Sequence, residues 1–139
     1  MPRKDSVAIV EKFWRKVWQA PQDPEAIDQL VAEDFIVTSG GHDIQGRAAF
    51  KKWVFDFQSK IIDLEFEPIE TFQNEDGSRV ASRWRVTGKN NGILGTRAGH
   101  EPILMLGTAI FAVGEDGLLQ HNWVERNAWE LYGRLVNVD

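Results

Sequence analysis

The stretch that decides the fold alternates apolar and polar side chains and reads Ser78-Arg79-Val80-Ala81-Ser82-Arg83-Trp84-Arg85-Val86-Thr87-Gly88. Successive side chains of a strand point to opposite sides of a sheet, so this period of two predicts a strand. One face carries Val80, Ser82, Trp84 and Val86, and the other carries Ala81, Arg83, Arg85 and Thr87. We interpret the stretch as one strand of an antiparallel sheet.

Turn-forming sequences flank this strand and its partners. Asn74-Glu75-Asp76-Gly77 precedes it, and Gly114-Glu115-Asp116-Gly117 follows the next alternating segment. Such sequences are typical of hairpin connections. They predict a meander of four strands that run from Asp63 to Phe72, Ser78 to Gly88, Glu101 to Val113 and Leu118 to Asn127.

The N-terminal half has helical periodicity instead. A first helix, with Ser6 as its N-cap and Pro21 as its stop, has an aromatic face made of Val10, Phe13, Trp14, Val17 and Trp18. Asp23-Pro24-Glu25 predicts the start of a short second helix, whose face is Ile27, Leu30 and Val31. A short strand is predicted at Phe35-Ile36-Val37.

A third helix follows a glycine-bracketed loop that holds His42 and Asp43. Helical spacing returns with Phe50, Trp53, Val54, Phe57 and Ile61. Helices gathered early and strands gathered late predict an α+β fold, in which one curved antiparallel sheet carries the helices on one face.

Composition limits the remaining possibilities. The chain has 139 residues, 42% of them apolar, which suits one domain over residues 1–139. A net charge of −5 argues against nucleic-acid binding, and the absence of cysteine excludes disulfides and thiol chemistry. Without a signal-type or membrane-spanning apolar run, we expect a soluble, cytoplasmic protein with no membrane partner.

No sequence motif indicates a cofactor. His42, His100 and His121 are far apart, so the sequence offers no metal-ligand spacing and we predict no metal. The glycines between Gly88 and Gly99 precede no helical pattern, so they do not form a nucleotide-binding loop. We therefore expect chemistry, where there is any, to proceed without a cofactor.

The aromatic helix faces have two interpretations. Trp14, Trp18, Trp53 and Phe57 can form an ordinary core, or they can line an apolar cavity for a ligand. Buried tryptophan indoles need hydrogen-bond acceptors, which favours a cavity somewhat. If the cavity exists, Trp18 and Trp53 should both border it, with a volume of about 300 Å³ or more.

The segment from His121 to Asn127 is polar although it belongs to a predicted core strand. Five of its seven residues are ionisable or amide side chains. Burying such groups without partners costs free energy, so the segment is either an edge strand or part of a site. His42 and Asp43 have the same two interpretations, a polar loop or a base with its orienting carboxylate.

The chain resembles the SnoaL-like polyketide cyclases of the NTF2-like superfamily. The resemblance rests on Gly46-Arg47-Ala48-Ala49-Phe50, Arg83 to Gly88 with Gly92 and Gly95, Pro102-Ile103, Gly107, Ile110-Phe111, Asp116-Gly117-Leu118 and Trp123 to Leu135. It implies a cone-shaped α+β barrel in which three N-terminal helices and the curved sheet enclose one pocket. It also implies a homodimer through the outer surface of the sheet, which would bury more than about 1,000 Å².

The resemblance also implies where an acid/base pair should lie. Counting from the Asp116-Gly117 turn places the two family positions on Ala109 and Val124, both apolar here. Glu125 is one residue further along, so it reaches the pocket only if a bulge shifts the strand. We expect that bulge, with Glu125, His121 and Trp123 facing inward.

The function that follows is a small-molecule enzyme of the SnoaL-like type. It would catalyse cyclisation, isomerisation or dehydration of an apolar, polyketide-like substrate by proton transfer. The candidate catalytic residues are His42, His121 and Glu125. The candidate substrate-binding residues are Trp14, Trp18, Trp53, Trp84, Phe111, Asn122, Trp123 and Arg126.

Two alternatives remain open. A non-catalytic ligand-binding or dimerisation module would keep the pocket without the acid/base pair, as Ala109 and Val124 suggest. A hydrolase similar to limonene epoxide hydrolases would use Trp123 and Glu125 with Arg83 or Arg85.

Overall fold

The computed structural model describes residues 5–137, which form one six-stranded sheet and four α-helices. The helices are α1 (Ser6–Phe13), α2 (Ile27–Leu30), α3 (Arg47–Ser59) and α4 (Ala128–Val136). The strands are β1 (Val31–Ser39), β2 (His42–Gln45), β3 (Ile61–Gln73), β4 (Arg79–Asn90), β5 (Pro102–Val113) and β6 (Leu119–Arg126). The α+β class and the four meander strands were predicted correctly.

The sheet is curved and unclosed, with the strand order β2-β1-β6-β5-β4-β3. Neighbouring strands are antiparallel except β1 and β6, which are parallel. The sequence analysis expected a wholly antiparallel sheet, and that detail was wrong. The parallel pair joins the N-terminal part of the chain to the last strand, so it brings β6 into the middle of the sheet.

Helix α1 begins one residue earlier than predicted. Asp5, rather than Ser6, caps it, since its carboxylate accepts a hydrogen bond from Ala8 N at 3.1 Å. Ser6 is buried and donates to the Gly77 carbonyl oxygen instead. The helix continues as a π-helical turn over Trp14–Trp18, in which both tryptophans are buried.

The segment before α3 is more extended than predicted. Val31 begins β1 rather than completing the second helix, and His42 and Asp43 lie on β2 rather than in a loop. The Asp23 cap and the first-turn Pro24 were predicted correctly, although they open a short 3₁₀ turn before α2. Short β2 pairs with β1 at the sheet edge.

Helix α4 was not predicted. It follows β6 directly and packs beside the first half of β5, which β6 does not reach. Arg134 donates to the Leu104 carbonyl oxygen, and Asn127 bonds Leu106 through both its backbone and its side chain. The helix therefore covers a strand edge that would otherwise be free to pair.

Helices α1 and α3 cover one face of the sheet and enclose an aromatic core. Phe13 of α1 lies against Phe50 of α3 and Phe111 of β5, with ring centroids 6.2 and 5.7 Å apart. Gly107 of β5 faces the same side, and the indole of its β4 partner Trp84 lies over it. A Cβ at Gly107 would overlap the Trp84 ring, so this glycine makes room for the tryptophan.

We predict that Gly107→Ala destabilises the protein by about 1–3 kcal/mol, because the added methyl group displaces the Trp84 indole. Urea unfolding measures the change. Gly133→Ala is the control, since a Cβ there meets no atom within 4 Å and alanine favours a helix. Equal stability of Gly107→Ala and wild type would show that Trp84 is not seated on Gly107.

Candidate active site

An aromatic cavity lies between helices α1 and α3 and the inner face of the sheet. Its walls are Trp14, Trp18, Phe50, Trp53, Phe57, Phe66, Trp84, Val86, Asn122, Val124 and Arg126. Both Trp18 and Trp53 border it, as predicted. Its volume is about 30 Å³, so the expectation of a cavity ten times larger was wrong for this conformation. The large indole and phenyl rings fill most of the space.

The sheet brings the polar wall residues together in rows. Trp84, Gly107 and Arg126 are paired across β4, β5 and β6, and so are Val80, Phe111 and Asn122. The row between them consists of Ser82, Ala109 and Val124. Asn122 and Arg126 therefore flank an apolar centre.

One extra residue in β6 decides which side chains face the cavity. Ala112 pairs with His121, whereas Val113 pairs with Leu119, so Gln120 forms a bulge. Leu119 before the bulge is buried, and after it Asn122 and Val124 are buried. The bulge was expected, but its effect is the reverse of the prediction because it turns the even-numbered residues inward.

Glu125, His121 and Trp123 accordingly lie on the outer face of the sheet, which corrects the predicted orientation. Glu125 is exposed and Trp123 keeps 37% of its surface accessible. Arg83 and Arg85 also face outward, where they pair with Glu70 and Glu67. The arrangement proposed for an epoxide-hydrolase-like site is therefore not formed.

Only some of the buried polar atoms at the cavity wall form hydrogen bonds within residues 5–137. The Trp14 indole donates to Ser82 Oγ at 2.9 Å, and Ser82 in turn contacts Thr71 Oγ1 at 2.9 Å. Trp84 Nε1 and Asn122 Oδ1 are buried without a hydrogen-bond partner among residues 5–137. Trp84 and Asn122 expose only 5% and 6% of their surfaces. Within residues 5–137, the wall thus holds one fully buried free donor and one fully buried free acceptor.

Arg126 lies at the mouth of the cavity. Its guanidinium stands 5.5 Å from the Phe57 ring centroid and 6.0 Å from that of Trp53, and it donates to Ser39 Oγ at 3.3 Å. Burial lowers the pKa of Arg126, and the charge of Glu125 acts in the opposite direction. An arginine remains protonated at neutral pH, so the mouth carries a positive charge.

A second polar cluster lies outside the cavity, on the outer face near β2. Thr38 Oγ1 donates to Asp43 Oδ1 at 2.5 Å and lies 2.8 Å from His121 Nε2. The His121 ring stacks on Trp123 at 3.8 Å. Burial lowers the pKa of His121; Asp43 raises it and Arg79 lowers it, and burial prevails.

Two remaining candidate residues lie away from the cavity. His42 is exposed on β2, paired with Ser39 of β1, and does not border the cavity. Phe111 is buried behind the wall, where it contacts Trp14 with ring centroids 5.4 Å apart.

The sequence analysis missed several wall residues. Phe66 of β3 contacts both Trp14 and Trp18, and it alternates with buried Leu64 in the strand pattern. Phe50 was assigned to the third helix but not to the wall. The strand period identifies the buried position of Phe66, whereas Ser39 at the mouth carries no sequence signal.

Within residues 5–137, no group of three His, Asp or Glu side chains is placed to hold a metal ion. No helix in this part of the chain has the length and hydropathy needed to cross a membrane.

Comparison with known families identifies the fold. The SnoaL-like domain profile matches residues 10–122. The chain belongs to the SnoaL-like family. No curated protein matches it.

Several solved structures share the whole architecture of this SnoaL-like chain. A protein provisionally named a SnoaL-like polyketide cyclase, from Jannaschia sp. CCS1, has a TM-score of 0.87 at 14% identity, covering 100% of this chain and 99% of its own. TsrD from Streptomyces laurentii has a TM-score of 0.80 at 20% identity, covering 99% and 98%. SalBIII, an epoxide hydrolase/cyclase-like enzyme of pyran ring formation in polyether salinomycin, has a TM-score of 0.73 at 21% identity, covering 88% and 90%. At these identities the likeness shows the NTF2-like fold alone.

The SnoaL-like chain has apolar residues at the two positions where the family resemblance places an acid/base pair. Ala109 and Val124 are paired in neighbouring strands and both are buried. The side chains that line the cavity include no carboxylate and no imidazole. The polar groups that line the cavity are therefore indole N–H groups, the amide of Asn122 and the guanidinium of Arg126.

We predict that His121 makes stability depend on pH. Its pKa is lowered in the folded state, so the unfolded chain takes up a proton first as the pH falls through about 6.5. Between about pH 8 and about pH 5 the wild type should lose more stability than His121→Gln. Urea unfolding at several pH values measures this, with His42→Gln as the control for removing a histidine. Parallel profiles for wild type and His121→Gln would contradict the prediction.

Proposed function

We propose that this SnoaL-like protein binds a small, largely apolar, polyketide-like molecule in the aromatic cavity and promotes cofactor-independent enolate chemistry on it. The observation that carries the proposal is the pair of buried polar atoms without protein partners, Trp84 Nε1 and Asn122 Oδ1. Unsatisfied buried groups cost about 1–3 kcal/mol each, and a ligand with one carbonyl and one hydroxyl would satisfy both. The aromatic walls would hold its carbon skeleton.

The donors suit a reaction that passes through an enolate. When a C–H bond beside a carbonyl loses its proton, the electron pair moves to the carbonyl oxygen. The Trp84 N–H would donate to that oxygen, and the positive charge of Arg126, on the other side of Gly107, would stabilise it further. Because no carboxylate or imidazole of residues 5–137 lines the cavity, the proton would pass to water at the mouth. Cyclisation, isomerisation and dehydration all share this step.

Entry of a ligand requires the cavity to widen. A volume of about 30 Å³ holds no more than a water molecule or two, so rings at the mouth must move. Trp53 and Arg126 are only partly buried; they contact each other, and both also contact Phe57 at the edge of the core. Their outward rotation would open the cavity while Trp14, Trp18 and Trp84 stay in place.

A second candidate function is a ligand-binding module without catalysis. The paired Ala109 and Val124 favour it, since they leave the centre of the cavity without an acid or base. Such a module would use Trp84 and Asn122 for recognition alone. Binding and proton transfer therefore have to be measured separately.

The probe 6-hydroxy-2-tetralone, a bicyclic ketone with a phenolic hydroxyl, separates the two functions. We expect wild type to bind it and to accelerate exchange of its C1 hydrogens for solvent deuterium, followed by proton NMR. Trp84→Phe keeps an aromatic ring but removes the N–H, and should slow the exchange by at least about tenfold. Trp123→Phe, on the outer face, is the matched control and should leave the rate unchanged.

The possible results are distinct. Binding without accelerated exchange would reject the enzyme and support the binding module. Neither binding nor exchange would contradict both functions.

We also propose that the protein is a two-fold homodimer through the outer face of its sheet. Exposed apolar side chains gather there, namely Ile69, Phe72, Leu104, Leu106, Ile110 and Trp123. A dimer would remove this surface from water and bury more than about 1,000 Å².

Light scattering at micromolar concentration tests the dimer, for which we expect twice the mass of one chain. Ile110→Glu would place a charge in the interface and should yield monomers. Phe55→Glu is the control, because Phe55 is also an exposed apolar residue but lies on α3, away from the sheet's outer face. A monomeric wild type would contradict the proposal.

A further inference from the structure

The guanidinium of Arg126 forms no ion pair within residues 5–137. It stands over the rings of Trp53 and Phe57, and the hydrogen bond to Ser39 Oγ satisfies one of its N–H groups. No carboxylate of residues 5–137 forms an ion pair with it, because Glu125 faces the other side of the sheet. This contrasts with Arg83 and Arg85, each of which is paired with a glutamate.

Such an arrangement has an energetic consequence. Removing a charge from water is costly unless an opposite charge or strong hydrogen bonds replace the water. The two aromatic faces compensate only in part. The other four N–H groups of the guanidinium form no hydrogen bond within residues 5–137, and their planar geometry matches a carboxylate.

The free acceptor lies at the opposite end of the site. Asn122 and Arg126 are on the same face of β6, four residues apart, which corresponds to roughly 13 Å between their Cα atoms. Asn122 is buried, whereas Arg126 also borders the surface depressions next to α3 and β5. The cavity therefore runs from a hydroxyl-binding end to an anion-binding end, with aromatic walls between them.

We infer that the ligand is a planar phenolic or hydroxylated carboxylic acid of two or three fused rings, with its hydroxyl at Asn122 and its carboxylate at Arg126. The inference rests on the proposed binding function and specifies its ligand class. A ligand of this kind supplies the missing counter-ion, fills the aromatic cavity and gives Asn122 Oδ1 its donor. A neutral hydrocarbon of the same shape would fill the cavity but would supply neither the counter-ion nor the hydrogen-bond donor.

The test compares two probes of one shape, 6-hydroxy-2-naphthoate and the neutral 6-hydroxy-2-naphthamide, by isothermal titration calorimetry at neutral pH. We expect wild type to bind the carboxylate at least about tenfold more tightly than the amide. Arg126→Gln should bind the two probes with equal affinity, because it removes the charge that distinguishes them. Arg126→Lys keeps the charge but loses the planar fork, so part of the preference should remain.

Arg85→Gln is the matched control. It removes one positive charge from the outer face and should leave the preference for the carboxylate unchanged. If wild type binds both probes with equal affinity, the inference is overturned while the proposed binding function stands. If it binds neither probe, both fail. Loss of the preference in Arg85→Gln would also overturn the inference, since net charge rather than Arg126 would then explain it.

Discussion

The bulge at Gln120 is the constraint on which the site depends. Side chains alternate strictly along a strand, so one inserted residue exchanges the two faces of everything that follows. Leu119 before the bulge and Val124 after it both reach the core. The same inversion places Asn122 and Arg126 inside and sends the ionisable residues His121 and Glu125 outside. The chemical character of the cavity is thus set by backbone geometry as much as by composition.

The aromatic residues belong to the core and also line the cavity. Trp14 and Trp18 lie in the π-helical turn that follows α1, and both contact Phe66 of the sheet. Trp84 can lie against the sheet because Gly107 has no side chain. These rings reduce the enclosed volume to about 30 Å³, so any ligand must exchange contacts with them rather than enter an open space. We expect a site built this way to favour planar molecules, since a flat ring can replace the contacts of another flat ring.

Much of the fold follows from local patterns in the sequence. The period of two predicts β3 to β6, and the turns at Gly77 and Gly117 have the positive φ that favours glycine. The β1–β6 pairing is invisible locally, because it joins segments about eighty residues apart and no turn sequence specifies it. Helix α4 was not predicted because only Asn127 separates it from β6, with no turn sequence between them. It also has only two buried residues, Leu131 and Leu135, which make a weak helical pattern.

The candidate site was predictable in part. Six of the predicted ligand-binding residues line the cavity: Trp14, Trp18, Trp53, Trp84, Asn122 and Arg126. Bulky side chains at core spacing identify such positions. The orientation of Glu125 could not be predicted, since the bulge that decides it changes no residue type and shifts the register by a single position. The role of Arg126 as an unpaired cation depends on tertiary contacts with α3 that no local pattern contains.

The most direct test of the account is the indole N–H region of a ¹⁵N NMR spectrum, with the Trp84 resonance assigned through Trp84→Phe. The central claim is that the aromatic cavity, and not the outer face, is the binding site. On addition of 6-hydroxy-2-tetralone, the Trp84 N–H resonance should shift downfield as its free donor gains an acceptor, while the Trp123 and Trp129 resonances stay in place. A response confined to Trp123 and Trp129 would contradict the account.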